Sequence, residues 1–389
     1  MGLRERLVRF GTARPRPFVV ASAGGTRARL IAEAEVRRRG WREAGSPAET
    51  GLLVVCGDPG AALAEAIETV WRDAPGPRAR VRLPAEASAA EARRVLDAAV
   101  AELADVAAQH ADAQARITAG PWNPAAPDDG GDTSAMDHDM DHGTGHDRGH
   151  GGHEHHMMMR PGGLAMAEQE DDRDGLRLDV LHVPFGPVLR AWPAGLRIDT
   201  ALQGDVVQLA EVTAVDTTGD APYWDGAGVR RRVAGRLDSA GRLLYVAGWD
   251  GAASRAALLR DGVLDGASGD VLGPRFAVFA RRVGRSRTLR WMTGGIGRIA
   301  PEAAERHGLA ARHGGDVAVR LDGWLSEIAA GLPRLDEPAS DRLELGGESG
   351  AAGPLAVLPG LLEGEGLAAA RLIVASLDPD LAGLGRADG

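Results

Sequence analysis

The sequence predicts two folded domains of different classes, joined by a disordered linker. Over residues 1–118, short apolar runs alternate with helical patterns, which predicts an α/β domain with a parallel, flavodoxin-like sheet. From residue 176 to 389, period-two alternation gives way to helical spacing, which predicts an α+β domain of antiparallel strands followed by a helical bundle. Residues 119–175 are rich in His, Asp, Met and Gly, a composition that cannot bury enough apolar surface to fold alone.

The first domain is built from repeated strand, turn and helix patterns. The strand that starts at Pro17 ends in a glycine turn, and TRARLIAEAEVRRRGW follows at helical spacing. GLLVVCGDPG (51–60) predicts a second strand and turn, and the next helix ends at the Pro-Gly-Pro break at 75–77. ARVRLP (79–84) predicts a third strand, and the Ala-rich residues 88–118 predict one helix.

The second domain begins with strands and continues with helices. LRLDVLHVPFGP and GLRIDTALQGDVVQLAEVTAVD alternate around turn signals, as antiparallel strands with one buried face do. Residues 227–334 then show helical spacing, and LAAARLIVASLDPDL (367–381) predicts a helix running into a strand or turn.

Composition excludes several classes of function. The 389 residues carry a formal net charge of −10 and no lysine, which does not suggest the basic face that nucleic-acid binding needs, so we expect no nucleic-acid partner. A single cysteine excludes an intramolecular disulfide and a cysteine-only metal site within this chain. We find no signal-peptide core and no apolar run of membrane-spanning length. We therefore expect a cytoplasmic protein without a transmembrane segment of its own, free or peripheral on the inner face of the cytoplasmic membrane.

The strongest metal-ligand signal is the histidine-rich part of the linker. Seven of the eleven histidines lie between Met136 and Met166, at His138, His142, His146, His150, His153, His155 and His156. Imidazole binds Zn, Cu and Ni, and the neighbouring Asp and Met residues widen the choice. Because a glycine-rich tract cannot fix a coordination shell, we favour a linker that binds several divalent ions weakly and with mixed geometry over an evolved metal centre.

Other candidate groups have ordinary structural interpretations. SAGGTRAR (22–29) could cradle an anion, but it lacks both common phosphate-binding glycine patterns and is better explained as a tight turn between strand and helix. Cys56 follows an apolar run and is predicted to act as a small apolar residue.

Three further histidines and two tryptophans also receive structural predictions. We expect His182 to be a core or turn residue, and His307 and His313 to lie on the surface. Trp192 and Trp291 are expected to be core or interface anchors.

Three motifs stand near the start of the second half: Gly186-Pro187, Gly195-Leu196-Arg197 and the run from Leu202 to Val207. Together they resemble the opening of the large, quinone-site subunit of respiratory complex I and of the related large subunit of nickel–iron hydrogenases. The run from Ser376 to Ala382 resembles the end of hydrogenase large subunits, and RWMTGGIGR (290–298) is similar to an Arg/Gly-rich family segment.

The first half is similar in layout to the small, iron–sulfur subunit of the same complexes. Thr26 and Arg29 stand where the resemblance implies a Cys-x-x-Cys pair. A four-iron cluster needs four thiolates and a nickel–iron site needs two cysteine pairs, and Asp380 stands where the terminal cysteine would be. The quinone-site Gly-Pro-Gln-His-Pro turn is replaced by Gly-Pro-Val-Leu-Arg.

The resemblance therefore implies a fused, catalytically degenerate homologue of the small and large subunits, with no cofactor expected in the folded domains. It would serve as a scaffold or accessory subunit and dock on the membrane subunits of a complex I-like or antiporter-like assembly. One alternative is a soluble Zn, Cu or Ni-handling protein that works through the histidine tract. Another is a quinone- or small-ligand-binding oxidoreductase subunit that uses Arg190, Arg290 or Arg298 in a cleft between the halves.

Overall fold

A computed structural model describes residues 11–119, 168–171, 177–218, 222–225, 228–337 and 350–384. Three strands of the first half, β1 (Pro17–Ala21), β2 (Leu52–Cys56) and β3 (Ala79–Leu83), form a parallel sheet with β2 in the centre. The helices that connect and follow them are α1 (Thr26–Arg38), α2 (Ala61–Asp73), α3 (Ala89–Ala104) and α4 (Val106–Ala119).

The parallel sheet is covered on both faces, as its near-continuous apolar strands predict. In β2 every residue is buried: Leu52, Val54 and Cys56 pack with α1 and α3, whereas Leu53 and Val55 pack with α2. A flavodoxin-like sheet would have its first strand between the second and the third, so the flavodoxin-like strand order is not found. Apolar runs show that strands are buried, but they do not encode which strands are neighbours.

The second half contains an antiparallel sheet in the order β4-β5-β6-β7, formed by β4 (Glu168–Asp171), β5 (Arg177–Phe185), β6 (Leu196–Gln203) and β7 (Val206–Ala214). β6 is the most buried strand of this sheet, and Leu196 and Ile198 on it belong to the main core of this half. The predicted antiparallel strands are confirmed. β4 lies inside the stretch predicted to be a disordered linker, so that prediction was wrong for residues 168–171.

Helices follow the sheet, as predicted from the helical spacing. They are α5 (Gly228–Val246), α6 (Asp250–Leu264), α7 (Gly269–Gly284), α8 (Arg287–Thr293), α9 (Pro301–Arg306), α10 (Val317–Gly331), α11 (Ala352–Leu362) and α12 (Leu367–Leu377). Their apolar faces and those of β6 and β7 form one continuous core. Within the part of the chain that is described, no helix is both long and apolar enough to cross a membrane.

The predicted helix at 88–118 is two helices, separated at Asp105. Asp105 has an extended backbone, and its carboxylate accepts hydrogen bonds from the backbone N–H groups of Ala107 and Ala108 at 3.0 and 3.1 Å. An aspartate that caps a new helix competes with continuation of the preceding one. The alanine-rich composition favours helix on both sides and hides this break.

A buried arginine joins three segments of the second half. Arg320 on α10 is 1% exposed, and its Nε donates to Ser376 Oγ at 3.0 Å. Its other nitrogens donate to the carbonyl oxygens of Gly297 and Gly315 at 3.0 and 2.8 Å. The RWMTGGIGR segment and the C-terminal segment, both used for the family resemblance, are therefore bonded to the same side chain.

Candidate functional site

Asp216, which follows β7, connects the two halves at the end of the parallel sheet. Its carboxylate accepts hydrogen bonds from the backbone N–H of Ala23, in the turn after β1, at 2.7 Å, and from that of Gly60, before α2, at 2.9 Å. Asp216 is 5% exposed. Turns at the carboxyl ends of parallel strands present free N–H groups that favour an anion, and here a carboxylate of the same chain meets that need.

One charged face of α1 also joins the two halves. Together with Asp216 and the partners of this face, it forms what we call the junction. Arg29, Glu33 and Arg37 are spaced four residues apart, so they share a face of the helix. Arg29 donates to the two carboxylate oxygens of Asp238 on α5 at 2.7 and 3.2 Å. Arg37 binds Asp261 on α6 at 2.7 Å.

Glu33 completes a network of alternating charges with Arg260 of α6. The nearest atoms of the Glu33–Arg260 pair are 2.8 Å apart, and Arg260 also binds Asp238. Burial by itself would raise the pKa of Glu33, but attraction to Arg29 and Arg260 outweighs it and lowers that pKa to about 2. The pKa of Asp238 is held well below its ordinary value by Arg29, Arg242 and Arg260, again against the effect of burial. These carboxylates are therefore ionised at neutral pH.

Beside this network, the two halves enclose a cleft of about 870 Å³. Arg190 extends from the loop after β5 and stacks over Tyr245, with 4.0 Å between the guanidinium carbon and the ring centroid. Its Nε lies 3.5 Å from a carboxylate oxygen of Glu43. Burial and the nearby charge of Glu33 raise the pKa of Glu43, so this carboxyl takes up a proton more readily than an exposed one.

The C-terminal segment forms another wall of the cleft. Asp378 ends α12 and accepts hydrogen bonds from Ser239 and Arg242, each at 2.6 Å. Asp380 caps the short helical turn that follows, where its carboxylate accepts from the N–H of Ala382 at 3.2 Å. Burial, together with the neighbouring Asp378, raises the pKa of Asp380. The cleft thus holds two carboxyls with raised pKa values, Glu43 and Asp380.

The turn that follows β1 does not fit the four-iron cluster of the resembling small subunits. Thr26 offers a hydroxyl, and Arg29 is used in ion pairs. A Cβ atom on Gly25 would lie 2.1 Å from the carbonyl oxygen of Cys56, so the turn is packed against the end of β2. Cys56 is fully buried, and burial raises the pKa of its thiol, whereas a metal ligand must be a thiolate.

A smaller cavity of about 280 Å³ lies on the other side of the C-terminal segment. His313 lines it and is 6% exposed, and its Nδ1 has no hydrogen-bond partner among the described residues. Burial lowers the pKa of His313 to about 3, and the positive charges of Arg312, Arg236 and Arg320 act in the same direction. This imidazole is therefore neutral at physiological pH.

No family model matches the sequence. No curated protein matches it either. The function must therefore be argued from the residues and their arrangement.

Of the three arginines predicted for a cleft, the structure brings only Arg190 to it. Arg290 is exposed on α8. Arg298 is 72% exposed and lies 3.8 Å from Asp316. The predicted metal-ligand histidines, from His138 to His156, lie outside the described residues.

The other histidine and tryptophan predictions gave mixed results. His182 is exposed on β5 and is not a core residue; Val183 and Phe185, on the other side of the strand, pack against the core. His313 is buried rather than on the surface, whereas His307 is partly exposed. Trp192 packs against the core, but Trp291 is 81% exposed and is not a core residue.

The residues that form the junction were missed in the sequence. The spacing of Arg29, Glu33 and Arg37 was visible as a charged helix face, but solvated surface helices show the same spacing. Asp216 carries no local signal, because its partners are backbone groups far away in the chain. Asp238 and Arg260 lie in arginine-rich helices, and nothing in the local sequence distinguishes the charged residues that are buried from those that are exposed.

Proposed function

We propose that this chain is a fused, cluster-free relative of the small and large peripheral subunits of complex I and nickel–iron hydrogenases. In this proposal it acts as a scaffold or accessory subunit of a membrane-bound respiratory or ion-translocating complex. The proposal is supported by the segments at Gly186-Pro187, 195–207 and 376–382 and by the single cysteine.

The observation that carries the proposal is the contact of Asp216 with the turn after β1. In the resembling small subunits, this turn bears cysteines. Here the backbone N–H of Ala23 in this turn donates a hydrogen bond to a carboxylate of the other half, at 2.7 Å. A surface that electron-transfer subunits would keep for a cofactor is used to hold the two halves together, which favours a structural role.

Analysis of iron and acid-labile sulfide in the purified full-length protein tests the cluster-free part. We expect neither element in stoichiometric amount, and a stoichiometric cluster would contradict the proposal. Affinity purification from detergent-solubilised membranes of the source organism tests the docking part. Membrane-embedded subunits are expected to co-purify, and their repeated absence, with the protein intact, would count against a scaffold role in such a complex.

A ligand-binding role for the cleft is the second candidate. It is favoured by Glu43 and Asp380, whose raised pKa values suit proton exchange with a bound molecule, and by the half-buried Arg371 in the cleft wall. Thermal unfolding in the presence of a short-chain quinone is the simplest test. Stabilisation that is lost in Arg371→Gln but kept in Arg93→Gln, an exposed arginine on α3, would support this candidate.

The metal-handling alternative stays a prediction, because the histidine tract lies outside the described residues. Deletion of residues 136–159 distinguishes the scaffold proposal from the metal-handling alternative. A scaffold without the tract should keep its partners in the purification above, whereas a metal handler should lose zinc, copper or nickel binding in calorimetry together with its phenotype.

A further inference from the structure

The strongest charged feature outside the junction is the exposed surface formed by α7, α8 and the loop after α8, which we call the arginine surface (residues 271–298). It holds seven arginines and no acidic residue. All seven are exposed: Arg275, Arg281, Arg282, Arg285, Arg287, Arg290 and Arg298. Such a cluster stands out in a chain whose formal net charge is −10.

The amphipathic pattern of α7 keeps its own three arginines, Arg275, Arg281 and Arg282, off the buried side of the helix. Leu272, Phe276, Phe279 and Val283 recur at helical spacing and are at most 4% exposed. The solvent-exposed side of α7 therefore carries these three arginines and cannot turn inward without exposing this core. Among the described residues, only Arg298 of the seven forms an ion pair within the chain, with Asp316 at 3.8 Å.

Apolar side chains lie exposed among the arginines. Trp291 on α8 is 81% exposed, and Val271 and Val278 on α7 are 48% and 51% exposed. Tryptophan is favoured where most of its ring lies in apolar surroundings and its N–H group reaches water, as at the headgroup level of a bilayer. Guanidinium groups bind phosphate through paired hydrogen bonds.

We propose that the arginine surface binds an anionic phospholipid bilayer, with the arginines on the lipid phosphates and Trp291 at the headgroup level. Charge complementarity and the apolar residues favour this occupant. A nucleic acid would also attract the arginines, but it would gain nothing from exposed valines. The inference does not depend on the family proposal, since direct lipid binding can fail while membrane subunits still co-purify.

Sedimentation of the full-length protein with vesicles tests this inference. We expect binding to mixed phosphatidylglycerol and phosphatidylcholine vesicles, little binding to phosphatidylcholine alone, and release at high salt. The triple variant R281Q/R285Q/R287Q should bind roughly a hundredfold more weakly, since each basic residue near the surface contributes to attraction. These side chains are exposed, so the variant should keep the wild-type circular dichroism spectrum and melting temperature.

A matched variant removes the same charge elsewhere. Arg72, Arg93 and Arg94 are exposed on α2 and α3, and R72Q/R93Q/R94Q should bind vesicles within about twofold of the wild type, because it leaves the arginine surface intact. Equal losses in both variants, or wild-type binding by R281Q/R285Q/R287Q, would overturn the proposal. Binding to duplex DNA without any binding to anionic vesicles would overturn it too.

Tryptophan fluorescence reports the orientation on the bilayer. Brominated lipids quench tryptophans that reach the headgroup and acyl boundary. We expect quenching in the wild type that falls sharply in Trp291→Phe, while sedimentation is only modestly weakened. Quenching that is unchanged by this substitution would show that another part of the chain meets the bilayer, and would overturn the assignment.

Discussion

Asp238 illustrates how strongly single buried charges control the junction. Its side chain is 1% exposed and binds Arg29 and Arg260. In Asp238→Asn each of these guanidinium groups loses one of its carboxylate partners in a buried place, and breaking a buried ion pair typically costs about 3 to 5 kcal/mol. We expect a loss of about 3 kcal/mol in the free energy of unfolding by urea. Asp97→Asn removes a 71% exposed partner of Arg39 and should cost less than about 1 kcal/mol; similar losses in both would refute a buried network.

Protonation of Glu33 and Asp238 makes the free energy of unfolding depend on pH. Their folded pKa values are lowered, that of Glu33 to about 2, so they contribute stability above their unfolded pKa values of about 4. That contribution is lost as pH falls from about 4 towards 2.

His313 makes the free energy of unfolding depend on pH in a higher range. Its folded pKa is lowered to about 3, whereas an unfolded histidine titrates near 6.5. Between these values the unfolded chain binds one proton more, so the free energy of unfolding should fall by about 1 kcal/mol per pH unit on acidification. In His313→Gln this slope between pH 6 and pH 4 should become shallower in urea titrations. An unchanged slope would show that other groups are responsible.

The burial of single residues was predicted correctly for some residue types and wrongly for others. Cys56 was predicted correctly as a small apolar residue, because it belongs to a run of five buried strand residues. His182 and His313 were placed wrongly, since a histidine is accepted both inside and outside a fold and its position depends on which face of an element is covered. That information resides in distant residues.

At the scale of elements, most strands and helices could be predicted, because burial imposes period two or 3.6 on the sequence. The central position of β2 and the break at Asp105 could not, since pairing and capping depend on single contacts. The candidate site was hidden for the same reason. Asp216 joins β7 to the turns at Ala23 and Gly60, which lie more than 150 residues away in the chain.

These turns provide a test at the scale of elements. In Asp216→Ala, the N–H groups of Ala23 and Gly60 lose their acceptor, and each unsatisfied buried group costs about 1 to 3 kcal/mol. We expect faster hydrogen exchange at both amides and a lower free energy of unfolding. Glu211→Ala removes an exposed carboxylate of β7 and should change neither measurement. If exchange at Ala23 and Gly60 stays slow in Asp216→Ala, the capping role is refuted.

At the scale of the whole molecule, the two halves are held by contacts that do not require the linker. The junction combines Asp216, the ion pairs of α1 and an apolar contact in which Val188 packs with Phe18 and Leu63. The linker raises the effective concentration of one half near the other, but the buried charges set the geometry. The geometry of the cleft should therefore survive when the linker is cut.

A protease site inserted between residues 143 and 151 allows this to be measured. After cleavage we expect the two fragments to elute together in size-exclusion chromatography, because the ion pairs of Arg29, Glu33 and Arg37 are largely shielded from solvent and weakly screened by salt. The cleaved double variant D238N/D261N should separate, since Arg29, Arg37 and Arg260 lose carboxylate partners while no contact within the parallel sheet changes. Separation of the cleaved wild type would mean that the linker, and not the charged face of α1, holds the halves together. If the fragments co-elute both in the cleaved wild type and in the cleaved double variant, Asp216 and the apolar contact hold the halves together.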